Sequence, residues 1–218
     1  MYVGIITARK GSKRLPGKNL KELGGVSLLE RSILSALTVF DKKNIWLNTD
    51  CNRMASVAKK RGINVYMRPQ SLGDDRVESV AVLKDQVTNC PEVFKEGVSV
   101  VLFQPTTPYR DKNMILKMLT LYEQNNCNSL ATFSVLNKKI SVLKNNEIHP
   151  INYVYGQRTQ DLDNTCLFEN GALYITRYNN ILNNKILTKD VLPFIIYEEK
   201  YCLDIDTEED FLKAKKYL

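Results

Sequence analysis

The chain has 218 residues, 44% apolar and 25% charged, a composition that suits one folded domain of ordinary size, with or without a modest appendage. No stretch of about 18 apolar residues is present, which excludes a membrane-spanning helix. The formal charge of +7 fits a triphosphate and an acidic substrate as well as it fits nucleic acid, and no nucleic-acid-binding motif accompanies it.

The segment Met1-Tyr2-Val3-Gly4-Ile5-Ile6-Thr7-Ala8 has no basic leader and runs into a cationic loop, which predicts a cytoplasmic protein. Residues Tyr2–Ala8 read as a first strand. Ser27-Leu28-Leu29-Glu30 has the form of a capping box, and Leu29, Ile33, Leu37 and Phe40 continue at helical spacing to about Phe40. Ile45–Asn48 reads as a strand, Asn52–Lys60 as a helix stopped at Gly62, Ile63–Tyr66 as a strand and Val77–Val87 as a helix. Val98–Phe103 is the most apolar strand and is expected at the centre of the sheet. Two prolines, Pro105 and Pro108, predict an extended turn before a helix over Asn113–Gln124.

Ser129–Leu136 reads as a further strand. Helical rhythm then disappears from 137 to 165, where polar and apolar residues alternate as in a protruding hairpin, a plausible dimer arm. Strands at Gly171–Thr176 and Pro193–Tyr197 precede a last helix over Thr207–Tyr217, with Thr207 as cap and Asp210 as its acidic partner. Strands alternating with amphipathic stretches predict an α/β chain with a parallel sheet and crossover helices. The five cysteines are scattered and include no CxxC pair, so reduced thiols are expected.

Chemistry concentrates first in Arg9-Lys10-Gly11-Ser12-Lys13-Arg14-Leu15-Pro16-Gly17-Lys18-Asn19, which holds five cations and two glycines. Such a loop after a buried strand asks for a polyanion, because its charges repel one another without one. Gly11 and Gly17 let backbone amides approach phosphate oxygens while the cations offset their charge. A Walker A loop does not fit: five residues separate Gly11 from Gly17, and Asn19 follows Lys18. In Leu203-Asp204-Ile205-Asp206-Thr207, alternation along an extended segment sends Asp204 and Asp206 to one side, a pair of hard oxygen ligands suited to magnesium. A helix-capping acidic turn is the competing reading of that pair. The single histidine, His149, leaves little for a histidine-based metal site or triad.

The segment Ile6–Asn19 is similar to ARxGSKxxxxKN, the signature loop of the acylneuraminate cytidylyltransferases, and the resemblance extends over nearly the whole chain. It implies a Rossmann-like nucleotidyltransferase fold, a three-layer sandwich with a mostly parallel sheet and a small dimerisation arm at 137–165 within a single domain. It assigns Ala8, Arg9, Gly11, Ser12, Lys18 and Asn19 to nucleotide binding. Arg68-Pro69 with Leu72 and Asp74-Asp75 resembles RPxxLAxD, whose arginine lies at the cytosine, and Ser79 matches a serine that helps read the base. Gln104 in FQPTTPYR and Tyr174 in NGALY match residues at the sugar, as does Arg158 in QRTQ. Asp204 and Asp206 match the family's metal pair. The sugar side departs most, with Ile186-Leu187 near where some relatives carry paired aromatics.

The implied reaction is transfer of CMP from CTP to the anomeric hydroxyl of an acidic nine-carbon sugar, with Mg2+ as cofactor, Arg9, Lys18 and Asp206 catalytic, and a homodimer as the assembly. A sister enzyme acting on legionaminate, pseudaminate or Kdo would share the loop and the metal pair. A non-catalytic nucleotide- or RNA-binding module is favoured by net charge alone.

Overall fold

A computed structural model of the chain describes residues 1–162 and 166–218, so the last three positions of the expected arm, 163–165, lie outside the described residues. Seven strands form the main sheet in the order β11-β7-β10-β6-β1-β4-β5. They are β1 (Tyr2–Ala8), β4 (Ile45–Thr49), β5 (Asn64–Met67), β6 (Ser99–Phe103), β7 (Ser129–Val135), β10 (Leu167–Arg177) and β11 (Leu192–Ile196). All neighbours pair in parallel except β10, which runs antiparallel to both β6 and β7. The expected α/β class and the central place of β6 both hold.

Alternation along β1 divides the core. Val3 and Ile5 pack with Leu83 and Val87 of α3 (Ser79–Asn89) and Ile181 of α5 (Tyr178–Leu182). Ile6 and Ala8 turn to the opposite face. There they join Leu29 and Ile33 of α1 (Leu28–Leu37), Met54 and Ala58 of α2 (Asn52–Arg61), and Ile115 and Met118 of α4 (Lys112–Gln124). Helices on both faces of the sheet give the expected three layers. A third cluster joins Leu15 of the cationic loop to Ile205 and to Phe211 and Ala214 of α6 (Glu208–Lys215).

Four local expectations are corrected. Only half of the first capping box forms: Glu30 N–H donates to Ser27 Oγ, but the Glu30 carboxylate pairs with Arg61. That helix ends at Leu37 rather than near Phe40, because the Thr38 N–H and hydroxyl both bond Ser35 O and tighten the last turn. The strand expected at Ile63–Tyr66 starts at Asn64, and the helix expected at Val77–Val87 runs two residues later. By contrast, the last helix carries the full capping box between Thr207 and Asp210.

The segment after β7 forms a hairpin, β8 (Ser141–Lys144) paired with β9 (Glu147–Pro150), as a separate two-stranded sheet. A second hairpin, β2 (Glu22–Leu23) with β3 (Val26–Ser27), turns through Gly24 and Gly25, whose positive φ values suit a tight hairpin turn.

Candidate functional site

Four parallel strands deliver polar residues to one edge of the sheet. Arg9 follows β1, Asp50 follows β4, Arg68 follows β5 and Gln104 follows β6. β1 lies between β4 and β6, so the chain reverses its direction of progress across the sheet there. Ligands of open α/β sheets sit outside the carboxyl ends of the strands at such a point. A cleft opens at this place, lined by Thr7, Arg9, Asn19, Arg68, Ser79 and Gln104, with Leu72, Asp74, Asp75 and Thr106 among the other walls.

The cationic loop is anchored rather than loose. Leu15 is buried against α6, Lys18 N–H bonds Leu15 O, and Gly17 takes the left-handed conformation at φ 68° that opens a short 3-10 turn over Lys18–Leu20. Asn19 is buried and its Nδ2 donates to Arg9 O at 3.1 Å, fixing the backbone beside Ala8, itself buried at the end of β1. Ser12 is half-buried, while Gly11 is exposed with open space where a side chain would stand.

Arg68 is buried under the cleft. Its Nη1 lies 3.4 Å from Asn48 Oδ1, its Nη2 3.6 Å from Asp50, and its Nε has no partner among the described residues. Burial draws its pKa below the usual arginine range, and the Asp50 carboxylate opposes that shift. Asn48 is in turn held by Gln86 Oε1 at 3.0 Å and Val82 O at 3.2 Å. Asp50 also accepts the Lys10 N–H at 2.7 Å, so one carboxylate ties the cationic loop to Arg68.

Ile205 is fully buried and its N–H bonds Thr106 O at 2.8 Å, which sends the flanking Asp204 and Asp206 outward together. Asp206 receives Lys18 Nζ at 2.8 Å and Arg14 Nη2 at 2.6 Å. Burial raises the Asp204 carboxyl above its usual range; a hydrogen bond from Thr106 opposes this, and the neighbouring Asp206 charge adds to it. Two outward-facing carboxylates beside a phosphate-type loop suit a divalent cation, which takes one or two carboxylates plus phosphate oxygens and water. Among the described residues no group of three or more acidic, cysteine or histidine side chains gathers as a metal cage, here or elsewhere, so a cation at this pair would draw its other ligands from phosphate and water.

Gln104, at the cleft wall, has its Oε1 against Gly171, while Tyr174, which is not among the cleft's lining residues, packs beside the Val3–Ile5 core and bonds Glu169 through its Oη at 3.2 Å. Burial, with the Glu169 and Asp204 charges, raises the Tyr174 phenol. Arg158 stands apart: it is exposed on the arm and paired with Asp161 at 2.7 and 3.0 Å. Arg9, Asn19, Arg68, Ser79 and Gln104 thus line one cleft, with Lys18 and Asp206 joined beside them, and Arg158 is not brought to it.

Sequence reasoning missed Asp50, Asn48, Arg14 and Arg110. Asp50 carried a signal, an acidic residue closing a parallel strand. Arg110 is a structural tie: its guanidinium bonds Ala172 O, Gln104 O and Thr107 Oγ1 and so fixes the Gln104 turn against β10. Burial lowers its pKa, and Asp204 partly offsets this.

Residues 3–217 match the family model described as cytidylyltransferase. The chain belongs to the cytidylyltransferase family. Among curated members, an N-acylneuraminate cytidylyltransferase of Streptococcus agalactiae serotype V is 32% identical over 98% of this chain and 52% of its own length. A CMP-N,N'-diacetyllegionaminic acid synthase of Legionella pneumophila is 28% identical over 99% of this chain and 95% of its own. The chain therefore spans about half the length of the Streptococcus relative and nearly all of the Legionella one. A solved CMP:2-keto-3-deoxy-manno-octonic acid synthetase complexed with CTP superposes with a TM-score of 0.72 at 17% identity, covering 99% of this chain and 97% of its own. That likeness is one of fold.

Proposed function

We propose that this chain transfers CMP from CTP to the anomeric hydroxyl of an acylneuraminate-type nonulosonic acid, giving CMP-sugar and pyrophosphate. The observation that carries the proposal is the meeting, at the carboxyl edge of β1 and β6, of a cationic loop, a buried arginine with an unpartnered Nε, and an outward-facing carboxylate pair. In this reading Arg68 and Ser79 hold the cytosine, and Ala8, Arg9, Gly11, Ser12, Lys18 and Asn19 hold the ribose and phosphates. Gln104 and Tyr174 face the sugar. Arg158 reaches the sugar carboxylate only if the arm turns it inward, away from Asp161.

Asp204 and Asp206 would hold a magnesium ion, which when bound polarises the α-phosphoryl group and lowers the barrier to attack by the sugar hydroxyl. The chain's own residues do the rest. Arg9 and Lys18 stabilise the charge that develops on the departing pyrophosphate, and the fixed loop backbone needs no reorganisation to do so. Gln104, clamped through Arg110, orients the acceptor. No covalent enzyme intermediate is needed.

A homodimer through the 137–165 arm, in a cytoplasmic protein, completes the proposal. It is supported by Leu143 and Ile148, 70% and 59% exposed on a hairpin that forms its own sheet, and by Val154 and Tyr155, 69% and 71% exposed just after it. Two-stranded hairpins are marginal alone, so a partner surface would stabilise this one. No described helix is long and apolar enough to cross a membrane.

A sister activity on legionaminate is the second reading, favoured by the Legionella relative, which matches this chain along nearly all of its length. The experiment that separates the two supplies CTP, Mg2+ and a panel of N-acetylneuraminate, legionaminate, pseudaminate and Kdo, and measures pyrophosphate release. Fastest turnover with N-acetylneuraminate is expected. Preference for another sugar replaces the acceptor, and no release with any of them removes the reaction.

A further inference from the structure

Asp206 is already engaged. Arg14 occupies its Oδ2 at 2.6 Å and Lys18 its Oδ1 at 2.8 Å, so each carboxylate oxygen faces its own cation. The carboxylate is set in place from behind, because Ile205 is buried beneath it and Asp206 N–H donates to Asp210 at 3.2 Å. The two cations sit on long side chains from a different segment, Arg14 with its side chain 68% exposed and Lys18 at 11%.

A divalent cation approaching Asp206 meets both positive charges at once. Like charges at such distances repel strongly outside bulk water, so the clamp weakens the carboxylate as a metal ligand even though it is correctly placed. A triphosphate changes the balance: it offers anionic oxygens to guanidinium and ammonium groups, in bidentate form to arginine, and brings the phosphate oxygens that magnesium prefers.

We propose that Arg14 and Lys18 form a counterion clamp that keeps Asp206 from binding metal until the triphosphate draws both cations away. The metal site is thus completed by the nucleotide through an exchange of ionic partners, and the acceptor sugar alone cannot complete it. No bond is made or broken in this step; two carboxylate–cation pairs are replaced by two phosphate–cation pairs, and the released carboxylate becomes available to the metal. Arg14 is here a positioning residue. The inference rests on the proposed role of Asp206 as a metal ligand.

The test is titration of nucleotide-free protein with Mn2+, reading free Mn2+ by electron paramagnetic resonance. It compares the wild type with Arg14→Gln and Lys18→Gln, each with and without Asp206→Asn, after circular dichroism has established that the variants fold. Arg14→Gln is expected to tighten Mn2+ binding by roughly two- to fivefold, the range for losing an exposed ionic partner. Lys18→Gln should tighten it further because that pair is better shielded from water, and it serves alone if Arg14→Gln does not fold. Adding Asp206→Asn should remove either gain. Wild-type protein that binds Mn2+ as tightly as the single variants overturns the clamp, as does a gain that survives Asp206→Asn. Turnover by Asp206→Asn with CTP would overturn the reading of Asp206 itself, a separate result from the nucleotide-free titration.

Discussion

Arg68 brings its nitrogens into three environments: Asn48 and Asp50 take the two terminal groups, and Nε faces no partner. A buried, unpaired donor costs free energy, and Arg68 carries that cost beneath the cleft it lines. Arg68→Met keeps most of the stem's packing and removes the donors. KM for CTP is expected to rise roughly ten- to a hundredfold, the range for a lost hydrogen bond involving a charged group, with a smaller change in kcat. Steady-state kinetics at saturating sugar reads this, and an unchanged KM would place the base elsewhere. Arg68 was reached through the family resemblance, whose motif of Arg-Pro followed by an acidic stretch is contiguous in the sequence. Arg14 was not, since its partner Asp206 lies 192 positions away and no local spacing encodes their meeting.

At the scale of elements, the site is held by short-range devices. Gly73 closes the turn after Arg68, and a side chain added there would strike the Asp50 carboxylate, which bonds the Lys10 N–H. Gly73→Ala is therefore expected to lower kcat/KM for CTP while leaving the far-ultraviolet spectrum unchanged; full activity would show that Asp50 need not hold the loop. Thr207 caps α6, whose Phe211 and Ala214 pack on Leu15 and Ile205. Thr207→Ala should cost about 1 kcal/mol and lower Tm by about 2–4 °C in a chain of this size, as read by calorimetry. Strands β1 and β6 were legible because they are continuous apolar runs, and α2 because Gly62 ends it. The hairpin of β2 and β3 was missed although Gly24-Gly25 between Leu23 and Val26 is a hairpin signal. The five-residue α5 is too short to carry a periodic pattern. The register shift between Glu169 and Tyr174 hid the first half of β10, so that strand was read only from Gly171.

For the whole molecule, the order of strands brings four polar strand ends to one edge, three of which, Arg9, Arg68 and Gln104, line the cleft, and that convergence is a property of topology rather than of any one motif. The exposed arm is the other global feature. Leu143→Asp with Ile148→Asp should convert the proposed homodimer to a monomer in sedimentation velocity without loss of secondary structure; a monomeric wild type would contradict the role of the arm. The reaction itself is tested most directly by following pyrophosphate and CMP-sugar together in protein supplied with CTP, Mg2+ and N-acetylneuraminate, wild type beside Asp206→Asn. The account predicts equal amounts of both products from the wild type and at least about a hundredfold loss in the variant, the scale of removing one preorganised electrostatic contact. Wild-type turnover by Asp206→Asn, or pyrophosphate release without CMP-sugar, would contradict it.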